Sequence, residues 1–260
     1  MKFKKLLFFF ILFPFFLSCD EIYNAVNNEN RDIANKQRDK YRNPFETLNF
    51  FGIKENMNVL EVLPGRGWYT EILSFLLKQN GNLTVASFGS KHKIDFLRNM
   101  HNDFEKKFKN TELYGKIKFE IFLDKSFFPN IESKSQDMIL TFRNNHNWIK
   151  TGNIKKIYSE LHKILKNNGI LGVVQHRSND KTFNKPKLYN GYVSEKYLIK
   201  LIEECGFKLV DKSDINSNSL DKKNYKDGVW SLPPTLRSGK KKKYLEIGES
   251  DRMTLKFIKN

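Results

Sequence analysis

The feature that most constrains this chain is a change of rhythm at Asn58. From there on, short apolar runs alternate with longer amphipathic stretches. Residues 58–62, 83–87, 118–123, 138–141, 170–175 and 208–210 read as strands, and 68–78, 91–107, 154–166 and 194–205 as helices. Strands separated by helix-length segments need crossover connections, which give a parallel sheet buried on both faces. The spacing therefore predicts one α/β domain: a doubly wound, mostly parallel sheet of about seven strands. Asn167-Asn168-Gly169 is expected to cap a helix before the fifth strand. Before Asn58, Asn43-Pro44 signals a turn and 45–51 a short helix. After 210 the rhythm fails. Residues 211–249 show little periodicity and include Pro233-Pro234 and four consecutive lysines at 240–243. A closing strand follows at 253–258. A strand, a long excursion and a returning strand form a hairpin with an expanded connection. The expanded C-terminal loop, residues 214–250, is expected to act as a lid, because so long a loop in a compact domain is functional or disordered.

The first 18 residues have a different logic. Three lysines precede residue 6, and 6–17 are apolar apart from one Pro. That is a charged segment followed by an apolar run too short for an ordinary spanning helix. Phe16-Leu17-Ser18-Cys19 resembles a bacterial lipobox. It implies cleavage before Cys19, lipidation of Cys19 and a membrane-anchored lipoprotein of the bacterial cell envelope, facing the periplasm. Residues 1–18 are thus expected to be a lipoprotein signal peptide, 19–40 a polar tether that can turn helical from Arg31, and 41–260 the folded domain. With Cys19 acylated, Cys205 is the one remaining thiol and reads as structural.

Charge needs dissection before it is assigned a partner. Lys plus Arg number 46 against 29 acids, for a formal charge of +17. Thirty-seven of those cations are Lys and nine are Arg. Specific nucleic-acid recognition favours the Arg fork, so the balance argues against nucleic acid. The lysine run at 240–243 also suits an anionic membrane surface beside a lipid anchor. Two cysteines exclude a disulfide scaffold or a four-Cys zinc site, and no HExxH pattern points to a metal.

Residues 59–70, Val-Leu-Glu-Val-Leu-Pro-Gly-Arg-Gly-Trp-Tyr-Thr, run from an apolar strand through a Gly-x-Gly turn into a helix. Such a turn brings backbone close to a ligand and offers the free N–H groups of a helix start. In a doubly wound sheet it lies at the carboxyl edge, where ligands bind.

With its neighbours, this segment resembles motif I of the class I S-adenosylmethionine-dependent methyltransferases, which implies a Rossmann-like fold. Glu61 matches the acid of the first strand, and Gly65 and Gly67 match two motif glycines. Leu63 stands where the family has its first glycine. Val85-Ala86-Ser87-Phe88 carries no acid where the family holds the ribose hydroxyls. Asp124 matches a position near the adenine. The resemblance narrows at Leu140-Thr-Phe-Arg-Asn-Asn-His-Asn-Trp148, and again at Val173-Val-Gln-His-Arg177 and Gly228-Val-Trp-Ser-Leu-Pro-Pro234. These are similar to exported bacterial proteins described as predicted methyltransferases. The implication is an enzyme that transfers methyl from S-adenosylmethionine to a small-molecule acceptor. The cofactor would sit against Glu61, Gly65, Gly67, Trp68, Tyr69 and Asp124, with an aromatic face such as Trp68 or Trp148 favouring the sulfonium.

Two histidines stand apart from the rest. His146 and His176 follow the fourth and fifth strands, and Arg143 and Arg177 share those edges. Either His would take an acceptor proton with a side-chain pKa suited to neutral pH. Arg143 and Arg177 would hold an anion, and Asn144, Asn147 and Trp148 would line the acceptor side. The alternative is that these groups brace the loops against one another. An exported protein is also separated from a cofactor made in the cytoplasm. The second reading is therefore a non-catalytic lipoprotein that keeps the fold and binds another small ligand or a partner.

Overall fold

The computed structural model describes residues 17–122, 127–182, 184–186 and 189–260. Most of the expected signal segment, Asp124 and the side chain of Cys19 lie outside the described residues. The chain opens with α1 (Leu17–Asn27), α2 (Ile33–Lys36), α3 (Asp39–Arg42) and α4 (Pro44–Phe51). Then come β1 (Asn58–Val62), α5 (Trp68–Leu77), β2 (Asn82–Ser87), α6 (Asp95–Phe108), α7 (Thr111–Tyr114), β3 (Ile117–Ile121) and β4 (Gln136–Phe142). They are followed by α8 (Asn145–Lys150), α9 (Ile154–Ile164), β5 (Leu165–His176), α10 (Glu195–Glu203) and β6 (Phe207–Ser213). A 3₁₀ turn (Gly228–Ser231), α11 (Lys242–Ile247) and β7 (Arg252–Lys259) complete the fold.

The seven strands form one sheet in the order β3-β2-β1-β4-β5-β7-β6. β1 to β5 are parallel, and β7 runs antiparallel between β5 and β6. This is the expected doubly wound, mostly parallel α/β sheet. The burial of the strands explains the arrangement. β1 and β2 are buried on both faces after their first residue, whereas the edge strands β3 and β6 are partly exposed. Leu60, Val62 and Ile139 pack on one face with α9 and α10, and Val59, Val85 and Leu140 pack on the other with α4 and α5.

Two local expectations are corrected. Residues 19–40 are not a free tether. α1 buries Ile22, Ala25 and Val26 in the core, and Arg31, fully buried, pairs bidentately with Asp39 at 2.7 and 2.9 Å. Asn35 reaches Glu71 of α5 at 2.7 Å. Most of its polar residues stay exposed, but Arg31 is buried and Asn35 and Arg38 reach the buried carboxylates Glu71 and Glu249. The cap at Gly169 also shifts. α9 ends at Ile164 with Leu165 already extended, and Asn168, not Gly169, takes the left-handed turn (φ 59°) inside β5. Among the described residues, no helix is long and apolar enough to cross a membrane.

Candidate functional site

The carboxyl edge of the sheet gathers the turn after β1, the ends of β4 and β5, and the long β6–β7 connection around a cavity of about 220 Å³. The turn after β1 is built from left-handed residues: Leu63 (φ 49°), Gly65 (φ 64°) and Gly67 (φ 81°). At Gly65 no atom lies within 4 Å of where a Cβ would stand, so its backbone faces open space. Gly67 has the opposite reason. A Cβ there would lie 2.3 Å from Phe108, because the start of α5 packs directly on α6. Leu63 holds a conformation that a branched side chain disfavours; such residues persist where surrounding structure fixes them. Here Leu63 N–H donates to Ala86 at 2.8 Å, and Asn144 Nδ2 donates to the carbonyls of Val62 (2.8 Å) and Leu63 (3.4 Å). Asn144, expected to bind substrate, instead pins this turn while also bordering the cavity.

Glu61 lines the cavity and is fully buried, with Thr70 Oγ1 donating to it at 2.5 Å. Burial raises its pKa to about 8 against the weaker opposing effect of the Thr70 hydrogen bond, so the side chain is protonated near neutral pH. Tyr69 stacks on Phe142 with ring centroids 3.7 Å apart. Trp68 lines the cavity too, but its ring is already covered: the guanidinium of Arg42 lies 4.7 Å and that of Arg31 5.4 Å from its centroid. A sulfonium there would meet the like charge of both guanidiniums. Trp148 is not at the cavity. It packs in the core against Phe122 and Tyr158, because α8 turns it inward. Asn147 does border the opening.

The histidines come together as expected, with ring centroids 5.7 Å apart. Their protonation differs from the expectation. Burial lowers His146 to about 4, aided by the charge of Arg143 and opposed by its hydrogen bond with Gln175 (3.2 Å). Burial, then His146 and the charges of Arg143, Arg252 and Arg42, push His176 well below its ordinary value. Both rings are neutral at pH 7 and weakly basic. His176 Nδ1 shares a 2.5 Å hydrogen bond with the buried hydroxyl of Ser250. Trp230, from the long connection, meets His146 edge-on, and Arg237 lies 5.0 Å from the Trp230 centroid.

The two arginines expected to act alike do not. Arg177 is consumed by structure: it grips Asp251 bidentately (3.0 and 3.1 Å), Asp214 at 2.6 Å and Glu195 at 3.3 Å. Burial tends to lower its pKa, but these carboxylates outweigh that and raise it. Arg177 braces the loops, the alternative considered for it. Arg143, by contrast, lines the cavity, and no described residue hydrogen-bonds or ion-pairs its guanidinium. Its backbone is left-handed (φ 65°), held by Arg143 N–H donating to Val174 at 2.7 Å.

Sequence reasoning missed the group that dominates the site's charge. Glu249 is almost fully buried and ion-pairs with Arg38 (2.7 Å), Arg42 (3.0 Å) and Arg252 (3.1 Å). Burial alone would raise its pKa, but Arg42, Arg252, Arg38 and Arg143 outweigh it and bring the carboxyl to about 2. The one usable signal was the scarcity of Arg: four of the nine in the chain converge on this carboxylate. Among the described residues, no group of three His, Cys, Asp or Glu side chains is placed to hold a metal.

Comparison with family models and with curated proteins finds no match. Solved structures are similar in fold. A SAM-dependent methyltransferase from Aquifex aeolicus shares 14% identity over 93% of this chain and 98% of its own, with a TM-score of 0.59. The [4+2]-cyclase SpnF shares 14% over 93% of both chains (TM-score 0.61), and a SAM-dependent methyltransferase from Methanosarcina mazei 14% over 80% and 94% (TM-score 0.54). At these identities the likeness establishes the fold: the seven-stranded, Rossmann-like methyltransferase architecture. A shared fold does not fix a shared reaction.

Proposed function

We propose that this protein is an S-adenosylmethionine-dependent methyltransferase acting on a small molecule. The observation that carries the reading is the placement of the cavity, where the β1–α5 glycine turn, Glu61 and the β4 and β5 edges meet under the β6–β7 connection. The residues fit the cofactor at its sulfonium end. Gly65 leaves open space beside the start of α5, and the buried Glu61 carboxyl, protonated near neutral pH, offers a neutral polar group at the cavity wall. They fit less well at the ribose, because Ser87, at the end of β2, is buried beside His101 (3.4 Å) and no acid stands there. When bound, the cofactor supplies an electrophilic methyl whose transfer leaves the C–S electron pair on a neutral thioether.

The chain's own contribution is alignment and exclusion of water. Asn144 holds the glycine turn in register with β4. Trp230, Pro233 and Pro234 close the cavity from the lid side. A proton released by the acceptor passes to His146 or His176, both neutral and able to accept. Calorimetry of the full-length chain with S-adenosylmethionine tests the reading: saturable heat is expected, and no heat at millimolar cofactor would remove it.

The second reading, a non-catalytic binding protein on the same fold, is favoured by one observation, the absent ribose acid at the end of β2. We also infer export as a lipoprotein acylated at Cys19, on the strength of the charged and apolar leader before it. Mass spectrometry of the membrane-extracted chain checks this: a diacylglyceryl-modified peptide starting at Cys19 is expected, and an unmodified Met1 terminus would refute it.

A further inference from the structure

The cavity carries an unbalanced positive charge. Arg38, Arg42, Arg143 and Arg252 surround a single ionised carboxylate, Glu249, and the other nearby acid, Glu61, is protonated at neutral pH. Burial pushes the Arg143 pKa well below its ordinary value, but a guanidinium starts high enough to stay charged at neutral pH. A buried cation without a partner is costly, so such a cluster persists only where something else supplies the counter-charge. Two side chains show where it is missing. Arg143 borders the cavity with no protein partner for its guanidinium. Arg42 also borders it; its Nε pairs with Glu249 at 3.0 Å, but its Nη2 is buried without a hydrogen bond. The neutral pair His176 and Ser250 adds polar groups on the same wall without adding negative charge.

We propose that the acceptor is a small organic anion whose carboxylate or phosphate is held in this cavity by Arg143 and Arg42. The word acceptor rests on the methyltransferase reading; the anion subsite does not. A planar guanidinium fork gives two parallel charge-assisted hydrogen bonds to such a group, which fixes the orientation of the rest of the molecule. Its nucleophilic atom forms the new bond to the methyl carbon, and the proton it loses goes to a neutral histidine. Burial is the main reason that His146 and His176 are weakly basic; the arriving negative charge offsets only the smaller contribution of Arg143.

The test titrates the full-length chain with inorganic phosphate and, separately, with acetate, followed by calorimetry and tryptophan fluorescence. At least one of them saturates a single site near or below about 10 mM. Arg143→Gln weakens that binding at least tenfold and leaves the melting temperature in anion-free buffer unchanged or higher, because the side chain serves no protein partner. Replacing the four lysines at 240–243 by Gln leaves the binding within twofold. Saturation by neither anion, or Arg143→Gln binding as well as the parent, overturns the proposal. Repeating the titration with saturating S-adenosylmethionine separates the two sources of a carboxylate. Simultaneous binding supports the acceptor assignment, and mutual exclusion gives the subsite to the cofactor's own carboxylate and overturns it. If S-adenosylmethionine gives no heat while the anion still binds, the methyltransferase reading falls and the anion subsite stands.

Discussion

Replacing Glu249 by Gln keeps the shape of the side chain and removes the one carboxylate among four arginines. Two routes give the size of the effect. The carboxyl moves from 4.5 to about 2 in the folded protein, and at about 1.4 kcal/mol per unit this is about 3 kcal/mol. Breaking a buried ion pair by removing one partner costs roughly 3–5 kcal/mol. Little solvent screening applies, because Glu249 is 4% exposed. Against a typical total stability of about 5–15 kcal/mol, this is a large fraction. The pH dependence adds a second check. The folded pKa is depressed, so the stabilisation is fully present above about 4.5 and is lost as pH falls toward 2. Urea denaturation of the parent and Glu249→Gln at pH 7, 4.5 and 3 should show a gap of about 3 kcal/mol at pH 7, closing as the pH drops. A gap under about 1 kcal/mol at pH 7, or one that does not depend on pH, would refute the reasoning, because the carboxylate would then not be the counter-charge of the cluster.

Other outcomes follow from the same geometry. Glu61 has the opposite sign: its pKa is raised, so the folded state retains a proton the unfolded state loses above about 4.5, and stability falls as pH climbs toward 8. Glu61→Gln should match the parent at pH 4 and exceed it by about 3 kcal/mol at pH 7 in denaturant titrations, while weakening S-adenosylmethionine. Gly67→Ala places a Cβ 2.3 Å from Phe108 at φ 81° and should lower stability by roughly 1–3 kcal/mol, read by thermal denaturation, whereas Gly65→Ala meets open space and should affect ligand binding more than stability. Arg177→Ala should destabilise the chain, with little effect on small-anion affinity in the surviving fold, because its guanidinium is spent on Asp251, Asp214 and Glu195.

The legible parts of this protein were those with local periodicity. The strand 58–62 is legible to the residue and α5 to within one, because a short apolar run and a longer apolar stretch opened by a Gly-x-Gly turn mark their own lengths. The glycine turn was legible for a similar reason, since its backbone needs glycine at fixed spacing. Trp148 and Trp68 show where such reading stops. Each stands beside a motif, yet one is packed in the core and the other is covered by two guanidiniums. Arg143 and Arg177 occupy equivalent strand edges, and only their neighbours separate them: one meets three carboxylates and the other none.

The sequence by itself determined the doubly wound sheet, the turn at its carboxyl edge and the long connection that returns as β7, because these show in the order of apolar runs and helix-length stretches, in glycine spacing and in the loss of rhythm after residue 210. Only the tertiary structure decided the chemistry of the cavity. Glu249 meets Arg42 across 207 positions of chain, and His176 meets Ser250 across 74. Charges that satisfy one another over such distances leave no period behind. Each looks like an ordinary polar residue until folding removes the water and makes its partner the main determinant of its energy. The 19–40 segment gives the same lesson: among polar residues that are mostly exposed, Arg31 and Arg38 enter the fold to pair with Asp39 and Glu249.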